Sequence, residues 1–376
     1  MADIQGTWDP RFEGVATTLS ASLDAGTDVG ASVAVYLGGE PVVDIWGGTV
    51  DEAGTAPWER DTLTNVWSTT KTMTFLCTLM LADRGELDFH APVSRYWPEF
   101  AAGGKERIEV RHLMAHTAGL SGWAEPMRPE DLADWERCTS VLAAQEPWWE
   151  PGTASGYHAV TQGYLIGEVV RRITGTSIGT WFASEVAGPL GADFHIGLPE
   201  SEDHRVSVVI PPPPVDIEAL HPSELVIRTM TNPPLDATYP ARPWWRRAEI
   251  PAANGHGNAR SVAVVQSVVA GRGEARGVRL LSEAGCDRIF EEQIHGTDLI
   301  LGAEYRFGMG YGLSSGVMPI GPRACFWGGY GGSLIVMDQD AGLTVSYAMN
   351  RMEGGLQGDL RGANIVLAAV TGLAGG

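Results

Sequence analysis

Apolar residues recur at helical spacing from Pro10 to Ala25 and Gly26 follows as a stop, so the chain predicts an opening helix. The rhythm then shortens. Ala31 to Leu37 and Pro41 to Trp46 are β-rich runs separated by Gly38, Gly39 and Glu40, which predicts a hairpin. A second hairpin is predicted where Gly332 to Met337 and Leu343 to Met349 flank Asp338 to Gly342, with a last helix from about Gly358 to Leu373. From about residue 67 to 190 the pattern is mainly helical. Strand pairs at both ends of a helical middle predict one sheet completed by both ends of the chain.

Two stretches depart from this rhythm. Ser68 to Asp83 is apolar nearly all round, as a buried helix would be, and Gly85 stands where a C-terminal cap belongs. Residues 208–257 hold Pro211 to Pro214 in a row, then Pro222, Pro233, Pro234, Pro240, Pro243 and Pro251, with Trp244 and Trp245 adjacent. Prolines at this density predict a long ordered loop without regular helix or central strand.

Composition bounds the function classes. The 376 residues leave room for two domains, predicted as an α/β sheet domain from 1–75 with 255–376 and a mainly helical one from 76–254. There are 26 basic and 46 acidic side chains, a formal charge of −20 with no basic cluster, which argues against nucleic acid and anionic membranes as partners. No run approaches the roughly 18 apolar residues of a membrane span. Met1 to Pro10 is polar and acidic, without the basic start and apolar run of an export signal, so a cytoplasmic protein is expected. Cys77, Cys138, Cys286 and Cys325 lack C-x-x-C spacing and are expected as free thiols.

The candidate chemistry starts from the lysines, of which there are two, Lys71 and Lys105. Lys71 lies three residues after Ser68, one helical turn on, so the two share a face. A lysine in the first turn of a buried helix is pushed towards its neutral form and becomes a usable base. Ser68 at the helix start lies beside free N–H groups that can receive an oxyanion. The same residues also fit a bland reading, with Ser68 a simple N-cap and Lys71 snorkelling to water.

Other segments favour the chemical reading. Arg111-His112-Leu113-Met114-Ala115-His116-Thr117-Ala118-Gly119-Leu120, then Pro151-Gly152-Thr153-Ala154-Ser155-Gly156-Tyr157-His158-Ala159, then Phe326-Trp327-Gly328-Gly329-Tyr330-Gly331-Gly332-Ser333 follow Ser68 and Lys71 in order. Together they resemble the serine β-lactamase-like superfamily, and most closely its family VIII carboxylesterases, which look like class C β-lactamases and DD-peptidases. The resemblance runs from about Gly30 to Asn350. It implies a β-lactamase/transpeptidase-like fold, an antiparallel sheet flanked by helices with an inserted helical domain and the site in the cleft between.

By that resemblance Ser68 is the acylated nucleophile, Lys71 its partner and Tyr157 the tyrosine of the second motif. Trp327, Gly328 and Gly329 take the place of the Lys-Thr-Gly motif, and the N–H groups of Ser68 and Tyr330 form the oxyanion hole. Two departures bear on substrate. Trp327 replaces a lysine that would anchor an anion, and Ala159 replaces an asparagine amide, so a neutral ester is expected. The expected activity is hydrolysis of small-molecule esters through an acyl-serine, with no metal or organic cofactor implied. Alternatives are an acyltransferase, an amide-cleaving β-lactamase or peptidase, and a catalytically idle binding protein.

Further candidates are weighed on chemistry alone. His158 either tunes Tyr157 and meets substrate or is a packed histidine. Trp123, Trp148, Trp149, Trp244 and Trp245 are candidates to line the pocket, with Trp244 and Trp245 foremost because they sit in the Pro-rich loop. Gly312-Leu313-Ser314-Ser315-Gly316 has the letters of a nucleophile elbow, but Pro319 and Pro322 follow where a helix must start, so a turn is predicted. His112 and His116 would share a helix face and a metal; no H-E-x-x-H accompanies them, and the segment is expected to be structural.

Overall fold

The computed structural model describes residues 2–214 and 221–375, so residues 215–220 of the Pro-rich region lie outside the described residues. Both predicted hairpins form, Gly30–Leu37 with Glu40–Gly48 in an N-terminal set and Leu334–Asp338 with Leu343–Met349 in a C-terminal set. The first set is β1 (Ile4–Trp8), β2 (Gly30–Leu37) and β3 (Glu40–Gly48). The second is β4 (Ile294–Thr297), β5 (Glu304–Phe307), β6 (Gly312–Leu313), β7 (Ala324–Gly328), β8 (Leu334–Asp338) and β9 (Leu343–Met349). They make one antiparallel sheet in the order β1-β3-β2-β9-β8-β7-β6-β5-β4. The two chain ends meet where β2 pairs with β9, Ala34 opposite Ser346.

Nearly every residue of β2 and β9 is buried, which requires cover on both faces. Helix α1 (Glu13–Asp24) and a helix at the C-terminus pack on each other and on one face, and Ala259–Ala270 covers the other. Helix α2 (Lys71–Asp83) is buried at every residue from Lys71 to Leu81, as its all-round apolar pattern requires. It stops at Gly85, φ 75°.

The long middle is less helical than its pattern suggests. Trp135–Ala144 and Thr161–Thr174 are full helices, but residues 84–134 are mostly short turns punctuated by Pro92, Pro98, Pro126 and Pro129. The Pro-rich region errs in the opposite direction and holds two short helices. Glu224–Thr231 is capped by the Ser223 side chain, and Pro243–Arg247 starts with proline at its first position, where no N–H is needed. Ser314 and Ser315 lie in a turn, the Ser314 hydroxyl donating to the Ile320 carbonyl at 2.6 Å, as predicted. Among the described residues no helix is long and apolar enough to cross a membrane.

One buried ionic cluster ties the sheet, both terminal helices and the turn after β7 together. The Arg361 guanidinium donates to Asp28 Oδ1 at 3.0 Å, Asp359 Oδ2 at 2.6 Å and the Gly331 carbonyl at 2.7 Å. Asp28 also accepts from Tyr347 Oη and Ser22 Oγ, each at 2.6 Å. Gly332 takes φ 136°, and a Cβ there would collide with Arg361 and Asp359. Arg361→Ala leaves Asp28 buried without its cation and is expected to lower stability by about 3–5 kcal/mol. Urea unfolding checks this, and a loss below about 1 kcal/mol contradicts it.

Candidate active site

Ser68 lies in a single tight turn, Trp67–Thr70, from which α2 continues at Lys71. Neighbours clamp this turn on both sides. The Val66 N–H donates to the Gly255 carbonyl at 2.9 Å, and the Gly255 N–H donates to Thr70 Oγ1 at 2.8 Å. From the sheet, Ser333 Oγ donates to the Val66 carbonyl at 2.8 Å and lies 2.9 Å from Thr69 Oγ1. Trp67, directly before the serine, takes φ 48°, a left-handed conformation that costs a bulky side chain of order 1–3 kcal/mol. Its ring is wedged between Trp245 and Tyr330, with centroids 5.6 and 5.4 Å away, and this packing holds the strained peptide in place.

Lys71 reaches out of α2 into a dry junction. Its Nζ lies 3.1 Å from Ser68 Oγ and 3.1 Å from Tyr157 Oη, and it donates to the carbonyls of Ala159 at 2.7 Å and Ala252 at 3.0 Å. Tyr157 Oη donates to Ser68 Oγ at 2.6 Å. Lys71 is 1% exposed and Tyr157 2%. Burial pushes the Lys71 amine well below the ordinary lysine value. It pushes the Tyr157 phenol up, the hydrogen bond with Ser68 opposing and the Tyr305 and Asp298 charges adding to the rise.

A neutral amine has two N–H groups and one lone pair. The two carbonyls take the two N–H groups, which leaves the lone pair facing the hydroxyls. With the amine neutral, the protons can order without conflict, Tyr157 donating to Ser68 and Ser68 to Lys71. Lys105 shows the contrast. It donates to the carbonyls of Ala102 at 2.6 Å and Ala143 at 3.0 Å and to that of Gln145, a set matching the three N–H groups of an ammonium. Burial lowers Lys105 to about 8.

The end of β7 approaches this group closely. A Cβ on Gly329 would collide with Ser333 Oγ and the Val66 carbonyl, and one on Gly328 with the Gln357 backbone, so both positions need glycine. Tyr330 follows. Its N–H and that of Ser68 donate to no backbone carbonyl among the described residues, which leaves both available to a ligand.

Several expected site residues are buried or partly buried by other side chains. Trp327 is fully buried, stacked at 17° on His116, and its side chain lies beneath the site rather than in it. His158 is also fully buried; Gly156 and Leu120 engage its two ring nitrogens, at 2.6 and 3.0 Å, so neither is free for substrate. Burial lowers His158 to about 3. Trp123 is a core residue, donating to the Cys138 carbonyl at 3.0 Å. Trp245 is buried and donates to Asn65 Oδ1 at 2.9 Å, so it braces Trp67. Trp244 is partly buried against Tyr239 and Trp245. His112 and His116 do not share a helix face, because the helix is Val110–Met114 and His116 has φ 59°.

Sequence reasoning missed the carbonyls of Ala159 and Ala252, which carry no side-chain signal. It also missed Asp298, whose carboxylate accepts the Tyr157 N–H at 3.0 Å. Gln357 was missed as well; both its side-chain polar atoms are buried and, among the described residues, neither has a hydrogen-bond partner.

A family model described as beta-lactamase matches residues 15–370, and the chain belongs to that family. A crystal structure of a family VIII carboxylesterase matches with a TM-score of 0.94 at 41% identity, covering 98% of this chain and 100% of that one. A penicillin-binding protein homologue from Caulobacter crescentus matches with a TM-score of 0.92 at 34% identity, covering 98% and 100%. The esterase/β-lactamase LipL of Mycobacterium tuberculosis is 35% identical over 363 residues, 92% of this chain and 83% of that protein.

Gly329→Ala forces β7 away from the Ser68 turn. It is expected to cost about 1–3 kcal/mol of stability, as overpacking does, and to slow labelling of Ser68 by a fluorophosphonate at least about tenfold. Unchanged labelling contradicts the close approach as a requirement.

Proposed function

We propose that the protein is a carboxylesterase that cleaves small neutral esters through an acyl intermediate on Ser68, and that the reaction occurs where the sheet portion (1–75 with 255–376) meets the helical portion (76–254). One observation carries the reading: a fully buried amine held by two backbone carbonyls, with a serine hydroxyl 3.1 Å away. Lys71 takes the Ser68 proton as Oγ forms its bond to the ester carbonyl. The carbonyl oxygen becomes an oxyanion between the N–H groups of Ser68 and Tyr330.

Collapse of that tetrahedral intermediate breaks the bond to the alkoxide. Tyr157 gives its proton to the alkoxide and regains one from the Lys71 ammonium, which restores the neutral amine and releases the alcohol. Water then attacks the acyl-serine, its proton passing to the Tyr157–Lys71 pair. The acid leaves as the proton returns to Ser68 Oγ.

The substrate class follows from the charges. The strand position that would carry an anion-holding lysine carries Trp327, whose buried indole presents no cation. Its relatives include the family VIII carboxylesterase and the esterase/β-lactamase LipL, which supports ester cleavage ahead of amide cleavage.

Ser68→Ala is expected to abolish hydrolysis of a short-chain p-nitrophenyl ester, and Lys71→Ala and Tyr157→Phe to cost at least about 100-fold each. Wild-type turnover by the serine variant, or nitrocefin cleaved faster than the ester, overturns the reading. The pH dependence has a defined sign. Lys71 acts deprotonated, so kcat/KM is retained above its depressed pKa and lost as pH falls through it. The acid limb therefore lies well below about 10.4, the ordinary lysine value; a limb near that value contradicts the dry amine.

A further inference from the structure

Asp298 is fully buried, yet it belongs to none of the steps above. It opens the corner between β4 and β5, where its own N–H donates to the Ala303 carbonyl at 2.9 Å and its carbonyl accepts from the Gly302 N–H at 2.9 Å. One carboxylate oxygen, Oδ1, accepts three backbone N–H groups: Tyr157 at 3.0 Å, Ile300 at 2.9 Å and Leu301 at 2.9 Å. The other, Oδ2, is buried without a partner among the described residues. A second strap runs alongside, the Leu299 N–H donating to the Ser155 carbonyl at 2.8 Å.

Two of those three donors lie in the corner itself, and the third belongs to Tyr157, 141 residues away. The corner is part of the sheet portion of the chain. Tyr157 comes from the middle, just before Thr161–Thr174. Asp298 thus joins the peptide of the second motif to the sheet edge, while the phenol at the far end of that residue must stay 2.6 Å from Ser68 Oγ and 3.1 Å from Lys71 Nζ. A local turn needs only the two corner N–H groups. A carboxylate that is buried with one oxygen unpaired is costly to keep, so the third bond calls for an explanation beyond turn formation.

We propose that Asp298 is a positioning residue for the esterase reaction, fixing the Tyr157 backbone so that its hydroxyl stays in register with Ser68 and Lys71. The proposal rests on the acyl-serine reading above. Because Asp298 touches Tyr157 through the backbone and bonds neither Ser68 nor Tyr330, it acts on proton transfer to the leaving alcohol rather than on substrate binding. Losing it should therefore lower kcat and leave KM nearly unchanged.

Three variants test this, each assayed on a short-chain p-nitrophenyl ester with active sites counted by fluorophosphonate labelling, so that kcat is expressed per labelled site. Asp298→Glu keeps the charge and the acceptor but moves the oxygen by one methylene; a per-site kcat at least tenfold down, with KM within about twofold, is expected. Asp298→Ala removes the strap and should lose at least as much. Asp298→Asn keeps Oδ1 in place and puts an amide where Oδ2 has no partner, and it should recover at least tenfold over Asp298→Ala.

If Asp298→Ala does not fold, the Glu and Asn variants decide alone, with Glu low and Asn within about fivefold of wild type. A per-site kcat that Asp298→Glu leaves unchanged, or a loss that appears only as fewer labelled sites and a lower melting temperature, overturns the proposal. Failure of the underlying reading looks different: Ser68→Ala then remains active whatever the Asp298 variants do.

Discussion

Two backbone carbonyls set the surroundings of the one amine on which the proposed chemistry depends. Ala159 and Ala252 each take one N–H of Lys71, at 2.7 and 3.0 Å, in a junction where the amine is 1% exposed. Desolvation alone shifts Lys71 towards its neutral form. Desolvation with both hydrogens already engaged also aims its lone pair, at Ser68. Lys105 differs in that all three of its partners are backbone carbonyls, which can only accept, whereas two of the four around Lys71 are hydroxyls that can also donate to a neutral amine.

Every other part of the site keeps that junction closed and in register. The Ser68 turn is clamped to Gly255 on one side and Ser333 on the other, and Gly329 lets the sheet come close enough for the second clamp. Trp67 is held at a positive φ between two aromatic rings. Arg361 fixes the Gly331 carbonyl from the far side of the sheet, and Asp298 holds Tyr157 from its edge. The proposed ester-cleaving centre is thus an assembly of backbone positions contributed by distant parts of the chain.

How much of this the sequence carried depends on where the information lies. Side-chain spacing put Ser68 and Lys71 on one face, and alternation marked both hairpins, because those are local patterns. The order of Ser68, Tyr157 and Trp327–Gly329 along the chain marked the family. Backbone acceptors leave no trace in residue type, so the Ala159 and Ala252 carbonyls stayed hidden. The tryptophans misled in a specific way: an indole announces burial but not which surface it is buried against. Trp123 packs in the core, Trp245 behind Trp67 and Trp327 beneath Tyr157. Proline density was over-read for a related reason, since a proline at the first position of a helix breaks nothing, as Pro243 shows.

With lysines only at positions 71 and 105, the protonation state of the central amine is directly observable. Chain labelled with 13C and 15N at lysine alone gives two sets of side-chain signals, which Lys71→Arg assigns. The Lys71 signals are expected to show a neutral amine at pH 7, while Lys105 still titrates near 8. An ammonium at Lys71 that persists to pH 9 would mean that the amine is no base, and the acyl-transfer chemistry assigned to Ser68 would have no proton acceptor.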